Sequence, residues 1–363
     1  MVICRTPYRI SFFGGGSDYP AWYRIHGGQV LATAINKYCY ITCRYLPPFF
    51  EHYIRIVYSR IENARHYSEI KHPAVRETLR FLNFERGLEI HHDGDLPARS
   101  GMGSSSSFTV GLLHALYALS GKMPDTMRLA QEAIHVEQNL IQEVVGSQDQ
   151  VSAALGGFNR IRFQADDSIS VEPMTLRAER RDELNDRLML MYTGIKRTAS
   201  DVAKSYTATL AARETLVGRL SEMVDEAVSI LHGEASIDEF GRLLHEAWML
   251  KRSLSNLVSS CELDEFYDTA RAHGAIGGKI LGAGGGGFIL LFAPPGAHKG
   301  IRRALNQFIE VPFKFEPSGS RIIFFEPQRE DFASLEKARK VGAVQCFKEL
   351  DGLCPAWEEA QTP

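Results

Sequence analysis

The chain has 363 residues, of which 44% are hydrophobic and 23% are charged, as in ordinary globular proteins. One hydrophobic core seldom organises so long a chain, so we expect two domains that share a cleft. The formal net charge of -3 offers no basic surface to nucleic acid or to an anionic membrane. The longest apolar run, near residues 288–295, is far shorter than the roughly 20 residues that cross a bilayer. We therefore expect a cytoplasmic protein with neither of these partners.

The first half of the chain alternates predicted strands and helices. Segments rich in β-branched and aromatic residues predict strands at residues 3–13, 30–45, 53–58, 88–92, 158–163 and 187–193. Apolar residues at helical spacing predict one helix from Ser104 to the glycine at 121, and a second over residues 125–143. A charged stretch, residues 177–187, separates the last two strands. We place a boundary there, which gives a first domain of residues 1–185.

The second half is richer in helices. Residues 199–231 and 237–254 have helical patterns, and residues 279–292 read as a strand, a glycine loop and a strand. A helix near residues 302–308 and a strand at 321–325 complete a second domain of residues 186–327. The polar remainder, residues 328–363, is predicted to be a peripheral extension.

The segment LPARSGMGSSSSFTVG, residues 96–111, combines a glycine turn with the start of an amphipathic helix. Glycines allow close approach of backbone to an anion, and the unpaired N–H groups of a helix start favour phosphate. The alternative is a serine-rich helix cap on a flexible turn. The run contains no GxxxxGK[ST] pattern, so a P-loop nucleotide fold is not predicted.

The segment KILGAGGGGFILLF, residues 279–292, formally contains GxGxxG. A dinucleotide motif should open a helix, whereas this one runs into a strand and then two prolines, so we reject a nicotinamide oxidoreductase. Consecutive glycines between two strands indicate that a ligand or another segment passes close to the backbone. A tight structural hairpin is the alternative.

Two further segments carry polar residues suited to chemistry. In TPYRISFFGGGSDYP, residues 6–20, a strand delivers Arg9 and a glycine turn presents Ser17 and Asp18, which suits a substrate grip or an ordinary turn. Twelve positions separate Glu137, on a predicted helix, from Asp149. One carboxylate could hold Mg²⁺ and the other accept a proton, although solvated helix charges are the commoner reading.

Taken together, residues 6–20 (motif one), 97–111 (motif two) and 279–292 (motif three) resemble, in this order, the motifs of the GHMP kinase family. The family is named for galactokinase, homoserine kinase, mevalonate kinase and phosphomevalonate kinase. The resemblance implies an α+β fold whose N-terminal domain is like domain 2 of ribosomal protein S5 and whose C-terminal domain is ferredoxin-like. It also implies that ATP and Mg²⁺ bind between the domains.

The resemblance further implies roles for individual residues. The ATP phosphates would lie among Gly101, Gly103, Ser104, Ser105 and Ser106. Ser105 and Glu137 would bind Mg²⁺, Asp149 would act as the catalytic base, and Arg9 would be its basic partner. Such a site offsets the charge that develops during phosphoryl transfer.

The substrate is predicted to be a small sugar or sugar phosphate. Motif one has three glycines where galactokinases carry Gly-Glu-His, and it looks most like kinases acting on the anomeric hydroxyl of D-glycero-D-manno-heptose 7-phosphate. Another sugar, mevalonate, homoserine or a non-catalytic ligand-binding role remain alternatives, and a homodimer is one option for the oligomeric state. The predicted substrate contacts are Ser17, Asp18, Gly284 and Gly285, with Lys196 and Arg197 as a phosphate grip or a solvated basic pair.

Overall fold

A computed structural model describes residues 1–47, 50, 52–195, 202, 205 and 213–327 of the chain. Its strands are β1 (Val2–Phe13), β2 (Gly28–Tyr45), β3 (Ile54–Val57), β4 (Ile61–Ala64), β5 (Leu88–Gly94), β6 (Phe158–Phe163), β7 (Ile169–Pro173), β8 (Leu188–Tyr192), β9 (Gly277–Ile280), β10 (Phe288–Phe292), β11 (Ile309–Glu310) and β12 (Arg321–Phe325).

The helices within those ranges are α1 (Pro20–His26), α2 (Pro73–Phe81), α3 (Ser104–Leu119), α4 (Thr126–Ile134), α5 (Gln148–Leu155), α6 (Ala178–Asp186), α7 (Glu214–His232), α8 (Asp238–Arg252), α9 (Cys261–Ala272) and α10 (Pro295–Ala304). A 3₁₀ turn lies at Tyr67–Glu69, and a π-helical turn, His135–Leu140, follows α4 directly. None of the helices in the described part of the chain is long and apolar enough to cross a membrane.

The N-terminal half is built on a large sheet with the strand order β12-β1-β2-β5-β3-β4. The long strand β2 pairs with β1 along one edge, and with β6 and then β5 along the other. Helix α3 packs on β1 and β2. This helix is apolar around most of its circumference, which suits a helix buried in a core. The first turn of α3 is thereby held beside Arg9 of β1.

The C-terminal half has an antiparallel sheet with the order β11-β8-β10-β9, packed against α8. The two halves share aromatic packing at the end of β1. Phe240 of α8 lies edge-on to Phe12 and Phe13, with ring centroids 5.5 and 5.1 Å apart. Edge-to-face aromatic pairs of this kind favour a defined arrangement of the elements that carry them. The glycine loop of motif three, between β9 and β10, lies against motif two.

The α+β fold class and most of the predicted long elements are confirmed. The predicted helix near residues 302–308 instead runs from Pro295 to Ala304, because proline is well suited to the first helical position. The helix predicted for 125–143 is divided into α4 and the π-helical turn. Helices α1, α2, α5, α6 and α9 were not predicted. The predicted extension, residues 328–363, lies outside the described residues, as does most of 199–212.

Strand pairing connects the end of the predicted second domain to the N-terminal sheet. Strand β12 falls within the predicted second domain, yet it pairs with β1 of the N-terminal sheet, matching Val2 with Phe325 and Arg5 with Arg321. Pairing satisfies the hydrogen-bonding groups along the edge of β1, which would otherwise remain open. The chain therefore returns to its first sheet before residue 327.

Candidate active site

A buried arginine and a carboxylate form the centre of the site. Arg9 Nε and Nη2 donate to the two carboxylate oxygens of Asp149 at 2.7 and 2.6 Å. Nη1 of the same guanidinium donates to the carbonyl of Gly101 at 2.7 Å. Asp149 lies in the first turn of α5 and remains 24% exposed, whereas Arg9 is only 4% exposed. The arginine thus fixes the orientation of a carboxylate that a ligand can still reach.

Motif two places the start of α3 against this pair. Gly103 precedes the helix in the left-handed conformation, with φ of 75°, and no side chain caps the helix end. A Cβ at Gly103 would lie 3.2 Å from Arg9 Cγ and 3.4 Å from Asp149 Oδ2. The first turn carries no acidic residue. An uncapped helix start, a glycine turn and a neighbouring guanidinium fit a phosphate group.

The three predicted phosphate-loop serines have different surroundings. The hydroxyl of Ser104 accepts a hydrogen bond from the backbone N–H of Arg99 and closes the turn. Ser105 is exposed. Ser106 is buried, and its hydroxyl donates to Glu137 Oε2 at 2.8 Å. The helical repeat separates the serines in this way, because consecutive residues point in different directions.

Glu137 lies in the π-helical turn and is fully buried. Its carboxylate accepts hydrogen bonds from Ser106, from Thr109 Oγ1 at 2.8 Å, and from Gln150 Nε2. Burial raises the pKa of the Glu137 carboxyl to about 7, and these three donors oppose that shift. Glu137 thus contacts Ser106, whereas the side chain of Ser105 is exposed.

Carboxylate and hydroxyl oxygens near the start of α3 fit Mg²⁺, which prefers oxygen ligands. Within the described residues, no cluster of three or more His, Cys, Asp or Glu side chains could hold a metal ion alone. A site with one or two protein carboxylates suits a Mg²⁺ that takes its remaining ligands from phosphates and water.

Motif one is packed more tightly than the predicted substrate grip requires. The Ser17 hydroxyl lies within hydrogen-bonding distance of the carbonyls of Gly14 and Gln29, and the side chain is fully buried. The Asp18 carboxylate is 1% exposed and accepts from the N–H of Gly16 at 3.0 Å. Burial raises the pKa of Asp18, and the charge of Asp149 contributes in the same direction. Both side chains are therefore engaged within the protein, because buried polar groups need partners there.

Asp18 also holds the loop that precedes Asp149. The N–H of Ser147 donates to the Asp18 carbonyl at 2.9 Å, and a Cβ at Gly146 would lie only 1.9 Å from Asp18 Oδ2. Motif one therefore contacts Asp149 directly through Arg9, and through Asp18 it contacts the loop that precedes Asp149. The role that this geometry gives Asp18 is to support the loop before Asp149.

The glycines of motif three serve backbone packing. A Cβ at Gly282 would lie 2.6 Å from Gly101 Cα, and one at Gly287 would lie 2.2 Å from the Ser100 carbonyl oxygen. The two predicted substrate contacts of motif three face Val258: a Cβ at Gly284 would lie 2.8 Å from its carbonyl oxygen, and Gly285 N–H donates to that oxygen. Close approach by another segment is therefore observed for this run, which also joins the antiparallel strands β9 and β10.

Lys196 and Arg197 lie outside the described residues, so the predicted phosphate grip has no structural description. Two buried lysines near the Arg9–Asp149 pair, Lys251 and Lys279, were not predicted as site residues. The burial of Lys251 could have been predicted from the sequence, because this residue continues the helical spacing of Phe240, Leu244 and Trp248 on the buried face of α8. Lys279 stands in a strand that is otherwise apolar and glycine-rich.

Comparison with known sequences decides the family. The sequence model "GHMP kinases N terminal domain" matches residues 68–157, which contain motif two, Glu137 and Asp149. The model "GHMP kinases C terminal" matches residues 231–311, which contain motif three. The chain belongs to the GHMP kinase family. The two-domain fold expected from the resemblance is therefore the fold of this kinase.

Individual relatives are similar over most of their length. The D-glycero-alpha-D-manno-heptose 7-phosphate kinase of Campylobacter jejuni is 27% identical over 317 residues, covering 84% of this chain and 92% of the relative. A crystal structure of a D-glycero-D-manno-heptose 1-phosphate kinase from Bacteroides thetaiotaomicron matches with a TM-score of 0.73 and 25% identity, covering 90% and 100% of the two chains.

The Lactococcus lactis galactokinase complexed with galactose matches with a TM-score of 0.69 and 18% identity, covering 88% and 94% of the two chains. At that identity the likeness is one of fold. The GHMP kinase therefore shares its architecture with relatives that act on different small molecules.

Proposed function

We propose that this kinase transfers the γ-phosphoryl group of ATP to the anomeric hydroxyl of a phosphorylated heptose, D-glycero-D-manno-heptose 7-phosphate. The observation that carries the reaction type is the bidentate Arg9–Asp149 pair directly beside the uncapped start of α3. Phosphoryl transfer depends mainly on alignment and on neutralising charge, and both are available at this point.

Asp149 is proposed to orient the acceptor hydroxyl and to take its proton. The hydroxyl oxygen then bonds to the γ-phosphorus as the bond from that phosphorus to the bridging oxygen of ADP breaks. Arg9 keeps the carboxylate in place and offers positive charge next to the developing alkoxide. The α3 N-terminus, with Gly101, Gly103, Ser104, Ser105 and Ser106, is proposed to hold the ATP phosphates.

Glu137 is proposed to hold Mg²⁺ together with a serine hydroxyl at the start of α3, either Ser105 as the family motif suggests or Ser106 as the hydrogen bond to Glu137 suggests. When bound, Mg²⁺ would neutralise charge on the phosphates. The hydroxyls of Ser106 and Thr109 and the amide of Gln150 keep the carboxylate aimed at one place.

The substrate class rests on the relatives. The names of two of them specify a heptose that already carries a phosphate, at position 7 in one and at position 1 in the other. A phosphoryl group can be transferred to the anomeric hydroxyl only when that hydroxyl is free. This favours the heptose 7-phosphate as the substrate. The proposed contacts of the 7-phosphate remain Lys196 and Arg197. The substrate pocket is proposed to be shaped by Ser17, Asp18, Gly284 and Gly285.

Asp149→Asn tests the reaction. The amide keeps the shape of the carboxylate but is a far weaker base, so we expect kcat to fall by about 10²- to 10⁴-fold. The affinity for ATP, measured by calorimetry, should change little. Asp167 offers a matched control, because Arg24 also binds it through two nitrogens, but both side chains are more than half exposed. Asp167→Asn should leave kcat unchanged, and an active Asp149→Asn enzyme would remove the base assignment.

A substrate panel tests the acceptor. ADP release would be measured with the heptose 7-phosphate, the heptose 1-phosphate, free sugars including galactose, mevalonate and homoserine. We expect the 7-phosphate to give the highest kcat/KM. Turnover of another compound would keep the mechanism and replace the substrate, and ATP binding without turnover on any compound would favour a non-catalytic role.

A further inference from the structure

Two lysines of the C-terminal half are buried beside the proposed transfer centre. Lys251, in the last turn of α8, and Lys279, in β9, are 9% and 6% exposed. Removing an ammonium group from water costs several kcal/mol unless partners compensate. Such residues call for a specific reason, and none of the catalytic roles proposed for the site uses either lysine.

Lys251 binds the backbone of motif three. Its ammonium donates to the carbonyl of Ile280 at 3.3 Å and to that of Gly282. Gly282 in turn packs on Gly101, whose carbonyl accepts the hydrogen bond from Arg9. A continuous series of contacts therefore runs from α8 through motifs three and two to the Arg9–Asp149 pair.

Lys279 joins the halves more directly. Its ammonium donates to the carbonyl of Phe12 at 2.7 Å, at the end of the strand that carries Arg9. Burial lowers the pKa of Lys279 well below its ordinary value, and the charges of Lys251 and Arg9 act in the same direction. Of the two lysines, Lys251 is consequently the better candidate for a lasting positive charge.

The charge of Lys251 has no carboxylate bound to it within the described residues, where its bonded partners are backbone carbonyls. Arg9, Lys279, Asp18 and Asp149 are the charged groups around it. Asp149 is already bound by Arg9, and Asp18 is held by a backbone N–H. The ammonium of Lys251 therefore adds a positive charge that favours the binding of an anion near the Arg9–Asp149 pair.

We propose that Lys251 is a positioning residue for phosphoryl transfer: it fixes motif three against motif two and adds a positive charge to the field in which the phosphoryl group moves. The inference rests on the proposed function, since it assumes that transfer occurs at the Arg9–Asp149 pair. The end of α8 supports the assignment, because the C-terminus of a helix favours a cation.

The positive charge of Lys251 depends on pH. Burial lowers the pKa of Lys251 to about 8; the charge of Arg9 contributes to the decrease, while Asp18 and Asp149 oppose it. The ammonium is charged below this pH and neutral above it. We therefore expect kcat of the wild-type enzyme to fall as the pH rises through about 8.

Two variants of Lys251 test the proposal. Lys251→Met fills the same space without charge or donor, and Lys251→Gln keeps a donor for the Gly282 carbonyl without the charge. We expect both to lower kcat at pH 7 by at least about tenfold, with a smaller change in the KM for ATP. Both should also lose the decline of kcat near pH 8. Lys299→Met is the control, because Lys299 is an exposed lysine on α10 of the same half.

Several results would overturn the proposal. One is a folded Lys251 variant with kcat within about twofold of wild type; another is a decline near pH 8 that persists in such a variant. If neither variant folds, a wild-type kcat that stays level to pH 9.5 overturns the proposal as well, and a decline near pH 8 supports it. An active Asp149→Asn enzyme would instead reject the proposed function. If Asp149→Asn is inactive while the Lys251 variants have normal kcat, only the inference about Lys251 is rejected.

Discussion

Motifs two and three are both rich in glycine and lie against each other, yet Gly103 of motif two has different surroundings from the glycines of motif three. In motif two, the missing side chain of Gly103 borders the functional side chains of Arg9 and Asp149. In motif three, side chains on Gly282 or Gly287 would collide with the backbone of motif two. Motif two leads into a helix, whose free N–H groups can meet a ligand, and motif three leads into a strand.

The difference shows that a run of glycines does not by itself identify the loop that binds a ligand. What the absent Cβ would touch separates the two cases. A Cβ directed at functional side chains obstructs a site, whereas one directed at backbone prevents two segments from packing. The first substitution should lower activity, and the second should lower the stability of the fold.

The largest effect is expected for Gly287→Ala in motif three. Gly287 has φ of 83°, which disfavours any residue with a Cβ, and the new Cβ would lie 2.2 Å from the Ser100 carbonyl oxygen. Backbone on both sides must move, so we expect the free energy of unfolding to fall by at least about 3 kcal/mol. Urea denaturation would measure it.

Gly194→Ala separates the collision from the backbone strain. Gly194 has φ of 73°, but an added Cβ would have no atom of the described residues within 4 Å. This control should lose only about 1–2 kcal/mol, which is the cost of the left-handed conformation. Equal losses in the two variants would mean that motif three does not depend on close contact with motif two.

The sequence predicts the long elements of the fold because their patterns are local. Strands β1 and β2 and helix α3 have apolar residues at the expected spacing over ten or more positions. Short helices such as α5 and α9 give weaker patterns. The return of β12 to the first sheet joins residues more than 300 positions apart, and periodicity carries no information about such pairing.

The residues of the site likewise differ in how far the sequence alone predicts their contacts. Its motifs are recognisable from the order of three glycine-rich segments, but the contact between Arg9 and Asp149 spans 140 positions and was expected only from the family resemblance. The contact of Ser106 rather than Ser105 with Glu137 had a local signal. Ser106 and Thr109 are three positions apart and so share a helix face, and both bind Glu137.

Beneath motif two, Glu137 is held by neutral donors, and its protonation should affect stability. The folded-state pKa of Glu137 is about 7, against an ordinary value of 4.5, so the folded protein binds more protons between these values. The contribution of Glu137 to stability is therefore greatest below about pH 4.5 and is lost as the pH rises through 7. The full change corresponds to about 3 kcal/mol.

Denaturation of wild type and Glu137→Gln in EDTA, at several values between pH 5 and 8, would measure this change. Glutamine resembles the protonated carboxyl, so the variant should gain stability relative to wild type as the pH rises. Glu222→Gln serves as the control, because Glu222 is exposed on α7 and should show no such trend. A difference between Glu137→Gln and wild type that stays constant with pH contradicts the prediction.

The smallest effect on stability, and the sharpest test of the comparison, is expected for Gly103→Ala in motif two. Gly103 has φ of 75°, and its new Cβ would lie 3.2 Å from Arg9 Cγ and 3.4 Å from Asp149 Oδ2. Side chains can yield at such distances, so the loss of stability should be about 1–2 kcal/mol, close to the strain of the left-handed conformation alone. The displaced pair should lower kcat by about tenfold or more, since small errors in alignment are costly in catalysis.

Gly121→Ala is the matched control for this variant. Gly121 follows the other end of α3, has φ of 69°, and would place its Cβ more than 4 Å from any atom in the described part of the chain. The two variants should therefore lose similar stability, while only Gly103→Ala loses activity. If both retain full kcat, the absent side chain of Gly103 does not protect the Arg9–Asp149 pair, and motif two would need glycine there for its turn alone. If Gly103→Ala loses several kcal/mol of stability, motif two resembles motif three, and the distinction drawn from their Cβ surroundings fails.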